Sequence, residues 1–461
     1  MTLAIVLLLL IIGSLVFHFY SPWWFTPLAS NWGTIDDTIN ITFWVTGFVF
    51  VAVNLFLAYC VYRFRYKKNA RSHYEPENKK LELWLSIVTS IGVAVMLAPG
   101  LNVWAKFVDV PEDASVVEVI GQQWQWGFRF PGEDGQLGKV DVAFIDQNNP
   151  LGLDKSDSAG QDDIIVLDNE VHLPINENIE VLLRSKDVLH NFAVPQFRVK
   201  MDLVPGLITY LWFEPTVLGR FDILCMELCG LAHHTMRGHV VVDTKEDFDT
   251  WLAEQPTFKE TQQGKAGDIA SGQSLYAACA SCHGQNGEGN VAMNAPKLSN
   301  QSDWYLARQL RYYKQGIRGT HKDDAAGQQM AAMAAMLADD QAIKDVVAYI
   351  DSLEHAPVDK TVTGNAKRGA SYYVTCGACH GREGEGNFAL NAPKLAGQKD
   401  WYLKQQLANF RTGIRGEHPD DNFGKQMILM AKMLQDEQAI DDVLTHLNQL
   451  GETEPQANTS P

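Results

Sequence analysis

The sequence predicts a multidomain membrane protein: a transmembrane helical hairpin, an all-β domain and two all-α domains in tandem. Three observations carry this. Ile41 to Tyr62 and Leu83 to Trp104 are uncharged segments, each about long enough to cross a bilayer as a helix. From Ala114 the residues alternate with period two in short runs separated by Gly, Pro, Asn and Asp, the pattern of a β-sandwich. Beyond Ile269 the chain repeats itself at an offset of 97 residues, so one domain is duplicated. The length of 461 residues leaves room for three or more domains. A net charge of -17 argues against a nucleic-acid footprint and suits basic or electrostatically steered partners.

The domain boundaries follow from these patterns. Residues 1–20 carry no charged side chain and read as a signal peptide or an N-terminal anchor, since neither a basic start nor a small-residue cleavage site decides between them. Residues 36–105 hold the two transmembrane helices. The short loop between them carries Arg63, Arg65, Lys67, Lys68, Arg71, Lys79 and Lys80, which places it in the cytoplasm and everything after Trp104 outside. Glu82 sits at the cytoplasmic start of the second helix, where a carboxylate snorkelling to water is the plain reading.

Residues 106–245 form the all-β domain, with strands expected at 116–121, 122–130, 140–144, 163–167, 179–185 and 207–213. Period two puts Trp124, Trp126, Phe128 and Phe130 on one face, and Gln147 to Gln161 reads as a polar insertion. Within this domain Cys225 and Cys229, four residues apart, are followed by His233 and Met236 on one loop, while a distant strand brings His190. Two thiolates, two imidazoles and a thioether are the soft set that selects copper, and two thiolates can bridge two ions. A disulfide with incidental histidines is the alternative. His234 and His239 read as non-ligating.

Residues 246–268 read as a polar linker whose early part suits a short helix. The duplicated domains occupy 269–355 and 362–452, and a tail follows at 453–461. Each carries C-x-x-C-H, as Cys279, Cys282 and His283, then Cys376, Cys379 and His380. Two thiols reach the two vinyl groups of a haem while the next histidine faces the iron, so the motif attaches haem c covalently. A zinc or redox dithiol would not need the histidines. The sixth iron ligand is expected from the triplets Met330, Met333, Met336 and Met427, Met430, Met433, although methionines spaced by three are often core. His321 and His418, also repeated, are a bis-histidine alternative. Each repeat closes with an amphipathic stretch, 341–353 and 438–450. Six of the 7 cysteines fall in these motifs, and Cys60, in an apolar run, reads as a small buried hydrophobe.

The set His190, Cys225, Glu227, Cys229, His233 and Met236 resembles the dinuclear CuA motif of cytochrome c oxidase subunit II, and the hairpin resembles the same family. The resemblance implies a cupredoxin fold on the periplasmic side of a bacterial inner membrane, spanned more than once. It implies that Cys225 and Cys229 bridge the coppers, that His190 and His233 are terminal ligands, that Met236 is a weak axial ligand and that Glu227 binds through its carbonyl. The Glu227 carboxylate would reach a magnesium ion at the subunit I interface. Trp124, first in Trp-x-Trp, would accept the incoming electron, and Glu82 would open a proton path into subunit I. Two departures stand out: Trp84 lies one place earlier than the family tryptophan, and Leu207 replaces the arginine after Asp202-Leu-Val-Pro205-Gly206.

The repeats resemble the two-haem periplasmic cytochromes c. That resemblance favours Met333 and Met430 as axial ligands, with Met330 and Met427 next, and gives Pro296 and Pro393 as the prolines whose carbonyls hold the iron histidines. Together the resemblances imply the electron-input subunit of a respiratory-chain haem-copper oxidase, a proton translocase. Electrons would run from an external donor, cytochrome c or a cytochrome bc complex, through two haems c and CuA to subunit I, which holds the oxygen site. The copper-bearing subunit of a nitric oxide reductase and a non-catalytic copper-binding protein are the rivals.

Overall fold

The computed structural model describes residues 2–21, 25–68, 71, 76–146, 149–262, 266–354 and 358–450. The expected tail at 453–461 lies outside them, as do Gln147 of the insertion and Gly264 of the linker.

Among the described residues, three helices are long and apolar enough to cross a membrane: α1 (Thr2–Tyr20), α2 (Gly33–Arg63) and α3 (Lys79–Val108). Residues 2–20 thus form a helix beside α2, with His18 meeting Phe43 at a ring-centroid distance of 6.0 Å. Asn78 caps α3 through the Leu81 N–H, so Glu82 falls in its first turn. No residue of α3 is buried within this chain, which leaves its apolar surface for lipid or another protein. The outer ends of the helices are fixed to the β-domain. Trp32 donates its indole N–H to the Trp212 carbonyl at 2.9 Å, Trp212 donates to the Lys106 carbonyl at 3.0 Å, and Arg198 pairs with Asp36 at 2.7 Å.

The β-domain is a sandwich of two five-stranded sheets. One, in the order β3-β2-β1-β5-β8, contains β1 (Ser115–Gln122), β2 (Gln125–Phe130), β3 (Ile164–Val166), β5 (Ile179–Ser185) and β8 (Thr209–Phe213). The other, in the order β4-β10-β9-β6-β7, contains β4 (Glu170–Pro174), β6 (His190–Val194), β7 (Val199–Leu203), β9 (Gly219–Cys225) and β10 (Arg237–Asp243). Phe128, Leu183, Val194, Phe213, Ile223 and Val240 meet between the sheets with no exposure. The strand expected at 122–130 is interrupted: Gln123 and Trp124 turn between β1 and β2, which lifts Trp124 out of the strand alternation. The strand expected at 140–144 is a 3-10 turn, capped by Asp141 on the Ala143 N–H.

A buried ion cluster ties Asp163, just before β3, to β1, β2 and β5. Arg129 pairs with Glu118 and Asp163, both at 2.7 Å, and Arg184 reaches Glu118 at 2.8 Å. Such a cluster adds little net stability when complete, but removing one member strands a buried charge at a cost of about 3–5 kcal/mol.

Most of the segment expected as a linker is folded against this domain. Helix α4 (Lys245–Ala253) buries Phe248 in the sandwich core, and α5 (Phe258–Gln262) buries Phe258 beside Leu153 and Ile165. The Phe258 N–H donates to the Asp163 carbonyl at 2.7 Å. The apolar residues at 248, 251 and 258 overrode the polar composition.

The duplicated domains are helical: α6 (Ile269–His283), α7 (Asp303–Lys314), α8 (Ala325–Ala334) and α9 (Asp340–Asp351), then α10 (Ala366–His380), α11 (Asp400–Thr412), α12 (Asn422–Met433) and α13 (Glu437–Leu450). Their capping is duplicated too. Asp324 and Asp421 accept the Gly327 and Gly424 N–H groups at 2.9 and 2.8 Å, each cap contributing about 1 kcal/mol. The closing helices pack on the motif helices, α9 on α6 and α13 on α10, and form the two small cores.

Candidate metal and haem centres

Strand β9 ends at Cys225 and β10 begins at Arg237, so the intervening loop folds over the end of β6, where His190 begins. Cys225 Sγ lies 3.7 Å from Cys229 Sγ and 4.0 Å from His190 Nδ1. Cys229 Sγ lies 3.5 Å from His233 Nδ1 and 3.9 Å from Met236 Sδ. The Glu227 carbonyl is 3.2 Å from Cys225 Sγ. All six predicted ligands therefore converge, and His190, Cys229 and Met236 are almost wholly buried. The cysteines are not disulfide-linked.

The sulfur pair shows why a cation belongs here. The hydrogen bond from Cys229, followed by that from His190, overcomes burial and drives the Cys225 thiol down to about 3, while the same bond and burial push Cys229 far up. Two thiolates this close repel each other, so a bound cation is what favours both. The donors are soft, close and inside a dry loop, which fits copper. Burial opposes protonation of His190, yet its hydrogen bonds to Asp187 and Cys225 prevail and raise it.

Residues outside the predicted set support the loop. Asp187 Oδ1 is 2.8 Å from His190 Nε2, and Asp187 Oδ2 accepts the Gln123 N–H at 2.7 Å. This turns Nδ1 of His190 toward Cys225, as an orienting partner does for a metal-bound imidazole. Gln123 Nε2 donates to the Cys229 carbonyl at 2.6 Å. An acidic residue three before a histidine was the available signal for Asp187; nothing local marked Gln123. His234 is exposed, and His239 lies on the surface with Arg220 and Asp222 at 2.8 and 3.4 Å. Glu227 is half-buried.

In the second repeat Cys376, Cys379 and His380 line an apolar cavity with both Met427 and Met430. His380 Nδ1 donates to the Pro393 carbonyl at 2.7 Å, and His283 Nδ1 to that of Pro296 at 2.8 Å, leaving Nε2 of each as the ligand atom. Burial lowers both imidazoles, keeping them neutral for a metal. Free paired thiols, a held histidine and an apolar cavity fit covalent haem. Met336 and Met433 are 66% and 49% exposed, whereas the other four triplet methionines are half-buried. His321 and His418 accept the Asp323 and Asp420 N–H groups in surface turns, and His418 does not line the cavity.

A sandwich carrying a buried soft-donor loop, fixed to membrane helices and followed by two haem-type domains, defines a membrane-anchored electron-transfer protein. The family model for the periplasmic domain of cytochrome c oxidase subunit II matches residues 115–244, and that for cytochrome c matches 269–354 and 366–451. The alternative cytochrome c oxidase subunit 2 of Bradyrhizobium diazoefficiens is 59% identical over 258 residues, 56% of this chain and 93% of that protein. Cytochrome c oxidase subunit 2 of Cereibacter sphaeroides is 30% identical over 224 residues, 45% of this chain and 74% of its own. Reduced cytochrome c4 from Pseudomonas stutzeri is 30% identical, covering 40% of this chain and 98% of that one, with a TM-score of 0.32. The chain belongs to the cytochrome c oxidase subunit II family, with two cytochrome c domains at its C-terminal end. Copper and haem c are the groups these domains imply.

Proposed function

We propose that this protein is the electron-input subunit of a haem-copper terminal oxidase, taking electrons from an external donor through two covalent haems c and a dinuclear CuA centre into subunit I. The observation that carries it is the convergence of His190, Cys225, Glu227, Cys229, His233 and Met236 within one buried loop. Cys225 and Cys229 would bridge the coppers, with His190, His233, Met236 and the Glu227 carbonyl as the remaining ligands. The haems would attach through Cys279 and Cys282 and through Cys376 and Cys379, with His283 and Met333, and His380 and Met430, as the iron ligands. Magnesium binds the Glu227 carboxylate at the face toward subunit I, and Glu82 opens a proton path. Oxygen is reduced, and protons are pumped, in subunit I. The helices cross a bacterial inner membrane with the copper and haem domains in the periplasm.

Native purification with metal analysis and pyridine haemochrome titration tests this. Two coppers and two covalent haems per chain are expected, with an oxygen-reducing partner subunit; one copper with a localised spin sinks the CuA assignment. The named relatives favour oxygen over nitric oxide as the acceptor, and turnover of the two gases by the purified complex separates these readings.

A further inference from the structure

We propose that the C-terminal cytochrome domain, not the one preceding it, is the domain docked on the metal loop, through Trp124, so that the first cytochrome domain lies upstream of it. This rests on the function proposed above.

Trp124 joins the two sites. On the loop side it packs on Gly230, next to Cys229, where an added Cβ would come within 3.0 Å of Trp124 Cζ2 and 2.7 Å of Gln123 Nε2. The missing side chain is what lets the indole lie on the loop. On the cytochrome side Trp124 lines the same cavity as Cys376, Cys379, His380 and Met430, so the haem-attachment motif of the C-terminal domain opens onto it; Tyr305, Arg308 and Tyr312 of the first domain also line it, but that domain's own motif, 279–283, does not. It is only 7% exposed, and its indole N–H has no protein partner. A second cavity lies between the same two domains. Gln125 and Lys186 of the sandwich line it with Phe388, Asn391 and Phe423 of the C-terminal domain. Cys379 and Leu429 also pack against the sandwich core, whereas among the described residues no hydrophobic side chain of 269–354 does.

The first cytochrome domain is held by the second instead. Arg308 donates to the Asn391 side chain at 3.0 Å and stands 4.4 Å from the Phe423 ring centroid. Arg318 and Arg415 reach across the duplication to Tyr402 and Tyr305 at 3.1 and 3.0 Å. The C-terminal domain thus touches both neighbours. An electron passes singly from the reduced C-terminal domain, which is oxidised, to the metal centre, which is reduced by one; no bond breaks and no proton is required.

The test uses the full-length holoprotein with Trp124→benzoylphenylalanine, photo-crosslinked and mapped by mass spectrometry. Cross-links to peptides spanning 376–380 or 427–434 are expected. Cross-links to 279–283, or to neither domain, overturn the docking. Copper and haem content of the same sample keeps the questions apart: absent copper or covalent haem overturns the proposed function, whereas full occupancy with the wrong cross-link overturns only the docking. In parallel, Trp124→Leu is expected to slow copper reduction after haem photoreduction at least tenfold while the haems reduce at the wild-type rate; an unchanged copper rate overturns the contact.

Discussion

Cys229 is the residue on which the metal loop turns, because its sulfur meets Cys225, His233 and Met236 at once. Cys229→Ser replaces a soft thiolate with a hard, neutral hydroxyl, so the shared copper spin signal expected of the proposed centre should vanish while both haems remain attached. Electron paramagnetic resonance beside a haemochrome titration reads both halves. Met430 presents a different question, since Met427 lines the same cavity and the sequence offers both at one helical face. Met430→Leu is expected to abolish the methionine-to-iron charge-transfer band of the C-terminal haem and lower its potential, with Met427→Leu leaving both in place. The reverse outcome would make Met427 the ligand.

Helices α10 and α13 depend on one carboxylate. Asp442, buried in α13, accepts the Asn365 N–H at 2.7 Å and the Gln438 amide at 3.1 Å, and pairs with Arg368 of α10. The Arg368 bond, then the Asn365 bond, outweighs burial and holds the carboxyl down at about 2. A depressed carboxylate stabilises the fold above its unfolded pKa and ceases to do so as pH falls through its folded value. The C-terminal domain should therefore lose stability from roughly pH 4 toward 2, and Asp442→Asn should flatten that slope in acid unfolding followed by haem absorbance. At α3 the carboxylate lies in the first turn of a long apolar helix rather than at a helix contact. Glu82→Ala is expected to slow reduction of the oxygen site in the assembled complex more than reduction of CuA; equal rates at both steps would leave Glu82 purely interfacial.

Over the whole molecule the cytochrome pair is not a loosely tethered donor. Helices α4 and α5 are packed on the sandwich, so most of the 23-residue polar stretch 246–268 is folded rather than free tether. The docked face buries Trp124 away from solvent ions. Salt acts on charges separated by more than a Debye length, about 8–10 Å at physiological strength, and does little to a packed contact. Internal transfer from the haem domains to copper should be nearly independent of ionic strength, while reduction by an external protein donor falls as salt rises. Photoreduction followed by time-resolved copper absorbance, at low and high salt, checks both. A strongly salt-dependent internal step would mean that the domains separate in solution.

Chemistry with a fixed local spacing was legible in the chain. Cys225, Cys229, His233 and Met236 lie on one loop, and C-x-x-C-H is a single turn of helix, so their geometry is set by bonds and turns. The apolar spans, the duplication and the closing helices were legible for the same reason, since each is a periodic pattern within one segment. What the sequence left open depended on contacts between distant segments. The turn that frees Trp124 from its strand is fixed by Asp187, 64 positions away. The polar stretch 246–262 became part of the sandwich because three apolar side chains found cores to fill. Which haem domain faces the metal loop was decided only by packing, because two copies of one domain carry the same motifs and differ in the surfaces they bring together.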